Sequence, residues 1–427
     1  MNHLRFVKIR QIFPRPVIKD TRGRVLREMD RINFRERVKP GQRVAITAGS
    51  RGIKNITTIL SALVEVVRAA KAEPFVVGAM GSHGGGTAQG QKEVLASLGI
   101  TGETLGCQVL TAAEVVEIGE TPRGVKAFCD VNAWNADGII ICNRIKPHTT
   151  FHGPVESGLM KMMAVGLGKV KGASLIHRVR PGEIASTLID IGQVFIRSGK
   201  VLAGVGIVEN SYDDTAIIEA AAPGELLEME QRLLTEAYRL MPRLPVDRLD
   251  FLIVREIGKN ISGTGMDTNV IGRTRMIGVP ESSSPFIARI VVLDLTAASH
   301  GNATGIGLAD ITTRRLVDKM DHKITYLNCI TSGNVQRAML PIVMPDDRSA
   351  IEAALASLAA GEAVEHLQGA LIKNTLELEY LWVTENLARE LSQRTDIEVV
   401  GPPAPLVFRE GNLVLEDDHE FVQGEGL

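Results

Sequence analysis

Long apolar runs are missing from this chain. No stretch approaches the roughly 18 apolar residues that a membrane-spanning helix requires, and the amino-terminal MNHLRFVKIRQIFPRP lacks the continuous apolar segment of a secretion signal. A cytoplasmic location with no membrane partner is expected. Cysteine is scarce: Cys107, Cys129, Cys142 and Cys329 stand apart without CxxC spacing, which argues against a zinc knuckle and a disulfide framework. Charge of one sign is lacking too. The 48 Lys and Arg against 50 Asp and Glu give a formal charge of −2, with no basic footprint for nucleic acid. Small-molecule chemistry is what these absences leave.

At 427 residues the chain exceeds what one hydrophobic core usually serves, and its 44% hydrophobic and 23% charged residues are ordinary for a globular protein. Two domains follow. Short β-branched runs alternate with amphipathic segments: RVAITAG (43–49), a helical 56–71, PFVVGAM (74–80), a helical 87–99, GIIICN (138–143), a helical 183–199, KVLAGVGIVEN (200–210) and a helical 224–241. This rhythm predicts an α/β fold, largely parallel sheets flanked by helices. PRLPVD (242–247) breaks the last helix, so a boundary is placed there, giving domains 1–245 and 246–427. The second half repeats the pattern from LDFLIVRE at 249, and its tail, LVFREGNLVLE (406–416), reads as a hairpin. The tail, 401–427, is expected to pack back on the first domain.

Glycine-rich turns follow the strands. PFVVGAM runs into GSHGGGT (81–87) and then a helix, placing the N–H groups of Gly84, Gly85 and Thr87 where an anion such as phosphate can sit. The spacing is neither GxGxxG nor Walker A, and a plain tight turn reads equally well. His83 lies in that turn and Arg51 follows the preceding strand in TAGSRG, both at the strand edge where open α/β sheets place ligands. Loop histidines and strand-end arginines are ordinarily just solvated.

Between Lys146 and His177 the chain gathers three of its nine histidines and four lysines among glycines. His148 and His152 are four apart, but Pro147, Gly153 and Pro154 disfavour the helix that would pair them on a metal, and no Asp or Glu lies within 146–153 to orient either ring. Lys161 follows Ser157-Gly158 among Met160, Met162 and Met163. The methionines read as core first and as a dry wall second. A lysine desolvated by them would lose proton affinity and serve as nucleophile or tether; a lysine reaching solvent is the bland alternative. In the second half, Lys259, Arg273 and Arg275 can neutralise a carboxylate, and Asp267 and Asn269 can fix hydroxyls or lysines, against the reading of a capped turn with solvated cations. His300, Asn302 and Asp310 are supporting candidates.

The order of these motifs is specific. An SR after the first strand, GSH after the second, PH before SG-x-x-K, and a histidine sixteen residues beyond that lysine resemble the nickel-pincer-nucleotide-dependent lactate racemase family over essentially the whole chain. The resemblance implies two α/β domains with the cofactor in the cleft between them. It implies that Lys161 tethers the cofactor with Ser157 and Gly158 beside it, that His177 ligates nickel, that His83 and His148 are acid and base, and that Arg51 lies near the substrate. The family chemistry is inversion of a 2-hydroxy acid by hydride transfer to and from the cofactor, with proteins that build the cofactor as cellular partners.

Departures from the family pattern are plain. Ala48 stands where lactate racemases have aspartate, and extra residues before Lys161 make His152 a rival to His148. With MDTN (266–269) aligned, the family's tyrosine, glutamine and lysine fall on Ile271, Gly272 and Arg275. A 2-hydroxy acid other than lactate, larger or more acidic, is therefore expected, held by Arg51, Lys259, Arg275 and Asn269. The competing readings are a non-catalytic nucleotide- or metal-binding protein and a zinc hydrolase built on His148, His152 and His177.

Overall fold

The computed structural model describes residues 4–277, 279–358 and 364–415. The chain forms two compact units, one spanning Pro14–Met241 and the other running from Pro242 onward and including the first strand, β1 (Arg5–Gln11). Both are α/β, with parallel-rich sheets and flanking helices. Among the described residues, no helix is long and apolar enough to cross a membrane.

In the Pro14–Met241 unit, the helices used below are α1 (Thr21–Arg31), α2 (Ile56–Ala69), α3 (Ala88–Ser97), α4 (Lys169–Arg178), α5 (Ile184–Arg197) and α6 (Leu226–Leu240). The sheet strands are β2 (Arg43–Ala48), β3 (Glu73–Gly78), β4 (Gln108–Leu110), β7 (Gly138–Arg144), β8 (Val201–Glu209) and β9 (Thr215–Ala221). A separate hairpin pairs β5 (Val115–Glu120) with β6 (Lys126–Asp130). The sheet order is β4-β3-β2-β7-β8-β9, all parallel until β9 turns back antiparallel on β8.

Near-continuous β-branched runs suit strands covered on both faces. Val44 and Ile46 of β2, with Ile140 of β7, join the core under α1 and α2, while Ala45, Ile139 and Ile141 face the core of α5 and α6. The chain winds outward from β2 through β3 to β4, then returns to lay β7 on the other side of β2. The carboxyl ends of β2 and β7 thus form a topological switch point, the place where open α/β sheets bind ligands.

The second unit holds a nine-stranded sheet. Parallel strands β10 (Arg248–Ile257), β11 (Phe286–Leu295), β12 (Ile311–Thr313), β13 (Ile342–Met344) and β14 (Gly369–Ile372) meet an antiparallel group of β15 (Tyr380–Thr384), β1, β16 (Ile397–Val399) and β17 (Ala404–Pro405). β1 pairs with β15, β16 and β17, so the amino-terminal strand joins this sheet, whereas the sequence reading assigned everything up to 245 to the first domain. The reason is nonlocal: Phe6 packs edge-on to Phe251, a pairing that periodicity cannot reveal. The tail hairpin forms as expected around Glu410-Gly411, both at positive φ. Its Leu413 and Leu415 bury in the core of this second unit with Ile351 and Leu355, where the sequence pattern led to the expectation of packing on the first domain. Residues 416–427 lie outside the described residues.

Candidate active site

Three loops leave the sheet of the Pro14–Met241 unit at its carboxyl edge. The loop after β2 carries Arg51, the loop after β3 carries His83, and the segment after β7 carries Lys146, His148, His152 and Lys161. In the GSHGGGT turn, Gly84, Gly85 and Gly86 all take positive φ, a run that side chains resist. A Cβ on Gly84 would lie 2.3 Å from the backbone of Gly90, so the turn folds directly onto α3. Thr87 caps α3, accepting from the Gly90 N–H at 3.1 Å and donating to the Gly84 carbonyl. The turn also rests on α4: a Cβ on Gly81 would sit 3.1 Å from Ala173 Cβ.

The segment after β7 is a closed loop. Lys146 and Ser157 exchange backbone hydrogen bonds of 2.8 and 3.2 Å, pinching the chain between them. That pinch turns Glu156, 2% exposed, back into the loop. Its carboxylate accepts from the backbone N–H of His148 at 2.6 Å and from the Tyr238 hydroxyl at 2.9 Å, and lies 3.3 Å from His152 Nδ1. Tyr238 Oη is also 2.9 Å from His152 Nδ1. The two histidines are therefore held differently. His148 is half-buried, stacked on Phe151 with ring centroids 4.4 Å apart, and its Nδ1 accepts the Thr150 N–H at 3.1 Å. In its neutral form that bond puts the proton on Nε2. His152 is exposed and anchored by Glu156 and Tyr238.

Lys161 ends the short helical turn Leu159–Lys161, which continues as a π-helix over Met162–Leu167 and then, after Gly168, as α4. The lysine is half-buried, and its pKa falls from 10.5 to about 8, through burial first and then the charges of Arg51 and Lys146, with Glu156 opposing. His177 is exposed, and nearby atoms that desolvate it, then the charge of Lys161, lower its basicity. Arg51 is exposed as well, and desolvation, then Arg144, lowers its pKa. Arg51, Arg144, Lys146 and Lys161 thus gather basic charge at the β2/β7 switch point, with Arg144 paired to Glu209, and His177 on α4 senses Lys161. Met160, Met162 and Met163 are all buried in the core, as their first reading had it.

Beneath the cluster lies Glu230, fully buried on the apolar stripe of α6. It accepts from the Met160 N–H at 2.8 Å and so fixes the turn that presents Lys161. Gly158 makes this possible, since a Cβ there would lie 2.2 Å from the Glu230 carboxylate. Burial raises the Glu230 pKa from 4.5 to about 7, against the pull of the Met160 and Leu159 amides. Between those values the unfolded chain gives up the proton first, so the native state holds more protons and stability falls as pH rises. The contribution is complete below 4.5 and lost above about 7. Glu230→Gln is expected to remove about 3 kcal/mol of this pH dependence, seen by comparing denaturant melts at pH 5 and pH 8. Parallel pH dependence in the two proteins would exclude Glu230 as its source.

The substrate candidates of the second unit are engaged within it. Lys259 Nζ donates to the Gly263 carbonyl at 2.6 Å and to Asn328 Oδ1 at 3.1 Å. Arg275, at positive φ, donates to the Gly307 carbonyl and pairs with Asp310 at 2.7 Å, while Arg273 grips the other Asp310 oxygen at 2.7 Å. Asn269 donates to Asp267 Oδ1 at 2.9 Å. Glu156, Tyr238, Glu230 and Arg144 escaped the sequence reading. Glu230 alone left a signal, a carboxylate in the middle of an apolar stripe of Leu226, Met229, Leu233 and Ala237. Among the described residues no three His, Cys, Asp or Glu side chains converge on a common point, so the zinc centre of His148, His152 and His177 is not assembled.

Fold and site together define a two-unit α/β protein with a cationic cluster, an unusually acidic lysine amine and anchored histidines at a sheet switch point. Among solved structures, the chain is similar to the lactate racemase apoprotein from Thermoanaerobacterium thermosaccharolyticum, with a TM-score of 0.58 over 86% of this chain and 99% of that one. At 12% identity the likeness is one of fold. No protein-family profile matches the chain, and no curated protein matches it in sequence.

Proposed function

We propose that this protein is a racemase or epimerase of a 2-hydroxy acid that works with a nickel-pincer nucleotide. The observation that carries the reading is the half-buried Lys161, its pKa lowered to about 8 by burial and by Arg51 and Lys146, with His177 sixteen residues further on, on a lactate-racemase-like fold. The residues fit the group. A lysine with pKa near 8 offers an amine for a tether, a histidine of lowered basicity offers a neutral nitrogen for nickel, and Lys146 with the Gly84, Gly85 and Thr87 turn suits a phosphate. Ser157 and Gly158 shape the approach to Lys161. When bound, the cofactor supplies the hydride acceptor and donor.

The chain's own residues do the rest. His148, its Nδ1 occupied by the Thr150 amide, exchanges the substrate hydroxyl proton through Nε2, and His83 does so from the opposite side. Removing hydride and proton together avoids the dianion that deprotonating a carbon beside a carboxylate would create. Arg51 holds the carboxylate with its planar fork. His152, with Glu156 and Tyr238, keeps the loop in place. Lys259, Arg275 and Asn269 hold loops of the second unit through Asn328, Asp310 and Asp267. The substrate is a 2-hydroxy acid other than lactate.

Protein co-produced with the cofactor-making proteins is expected to carry one nickel per chain, and its intact mass to show a nucleotide adduct lost in Lys161→Ala. Absence of nickel, adduct and absorbance beyond the protein band would sink the proposal.

A further inference from the structure

Sixteen residues of unbroken α-helix would put Lys161 and His177 about 24 Å apart. The chain does not run straight between them: Gly172, eight residues beyond Ala164, would bring a Cβ to within 2.3 Å of the Ala164 carbonyl. The turn is at Gly168-Lys169, between the π-helix and α4. Its corner is tight: a Cβ on Gly168 or Gly172 would lie 2.1 or 2.3 Å from the Ala164 carbonyl. At that corner Lys169 adopts φ +54, left-handed backbone in which a lysine is strained and a glycine would be comfortable. Strain of this kind persists only where the surroundings enforce it.

What enforces it is the ammonium. Lys169 is 0% exposed, and its Nζ lies 3.0 Å from Asp130 Oδ2, itself 0% exposed. It donates to Gln91 Oε1 at 2.7 Å and to the Gly78 carbonyl. Asp130 in turn accepts from the Asn132 and Ala133 amides at 2.8 and 3.0 Å. Gly78 closes β3 directly before the His83 turn, and Gln91 is on α3 directly after it. One buried charge thus ties the corner between Lys161 and His177 to both sides of the His83 turn. A buried ion pair contributes little net stability over apolar packing, and its recognised use is to fix register.

We infer that Lys169, paired with Asp130, is a positioning residue that fixes His177 relative to Lys161 and sets the base of the His83 turn. Its consequence for cofactor and metal rests on the proposed racemase reading; its geometry does not. The test is the double variant Lys169→Met, Asp130→Asn, which removes both charges and leaves neither buried alone. In the apoprotein, amide hydrogen exchange at 81–87 and 168–172 is expected to speed at least ten-fold, with the strands of the sheet unchanged. In protein co-produced with the cofactor-making proteins, the Lys161 adduct is expected to persist while retained nickel falls at least ten-fold. Unchanged exchange at both segments, or nickel retained as in the parent, overturns the inference. Equal acceleration across the whole unit also overturns it, since that is loss of stability alone. Should the double variant fail to fold, Gln91→Leu, which cuts a single bond of the network, must show the same local acceleration at smaller size. If the parent takes up no cofactor, the functional reading fails while the exchange arm still judges the pin.

Discussion

His148→Ala is expected to lower turnover by roughly 10²–10⁴-fold, the usual contribution of one general acid or base, whereas His152→Ala should cost less than about ten-fold. The two histidines are four residues apart in one loop, and their environments separate them. His148 is half-buried against Phe151 with Nδ1 fixed by the Thr150 amide, so its ring has one orientation and one neutral tautomer. His152 is exposed, and its Nδ1 is taken up with Tyr238 and Glu156. Tyr238→Phe should therefore resemble His152→Ala, a modest loss through the loop and not through chemistry. The measurement is loss of optical activity across a panel of 2-hydroxy acids. If His152→Ala is the more damaging change, the roles are reversed and the second proton passes through the Glu156 and Tyr238 pair.

Lys161 is expected to outpace every ordinary lysine of the protein toward a small acylating reagent. With its pKa near 8 in place of 10.5, the unprotonated fraction at pH 7.5 rises roughly two-hundred-fold or more. Lower basicity also lowers intrinsic nucleophilicity, so a net gain on the order of ten- to a hundred-fold in rate is expected. Labelling followed by peptide mass spectrometry as pH is varied should show a midpoint near 8. Burial and the charges of Arg51 and Lys146 hold the amine down, so Arg51→Met should move that midpoint upward. A midpoint near 10 in the unaltered protein would show that the amine is solvated and unsuited to a tether. Because the experiment uses apoprotein, it does not depend on the identity of the substrate.

The candidate residues are legible in the sequence because they follow strands. Val-, Ile- and Ala-rich runs marked β2, β3 and β7, and ligand-facing loops of α/β sheets follow strand ends, so Arg51, His83, His148 and Lys161 could be picked from local pattern. The methionines around Lys161 signalled a dry setting in the same local way. Glu156 carries no signal in the sequence although it lies three residues past the 146–153 run, because the Lys146–Ser157 bridge that turns it inward is a tertiary feature. Tyr238 is 82 residues from Glu156, and Asp130 is far from Lys169 in sequence; no period or spacing connects them. Lys259 and Arg275 read as ready cations, and folding engages them with Asn328 and Asp310.

The sequence by itself determined the α/β class, the alternation of strands and glycine turns, and the order of chemistry-bearing residues along the chain, since each depends on periodicity and turn preference over a few residues. Tertiary structure alone decided that β1 belongs with the second sheet, that His148 and His152 are held by different partners, and that Lys169 is buried against Asp130. Those outcomes depend on burial, on desolvation and on charges brought together from distant parts of the chain, and a buried amine beside two cations has an acidity that no stretch of sequence carries alone.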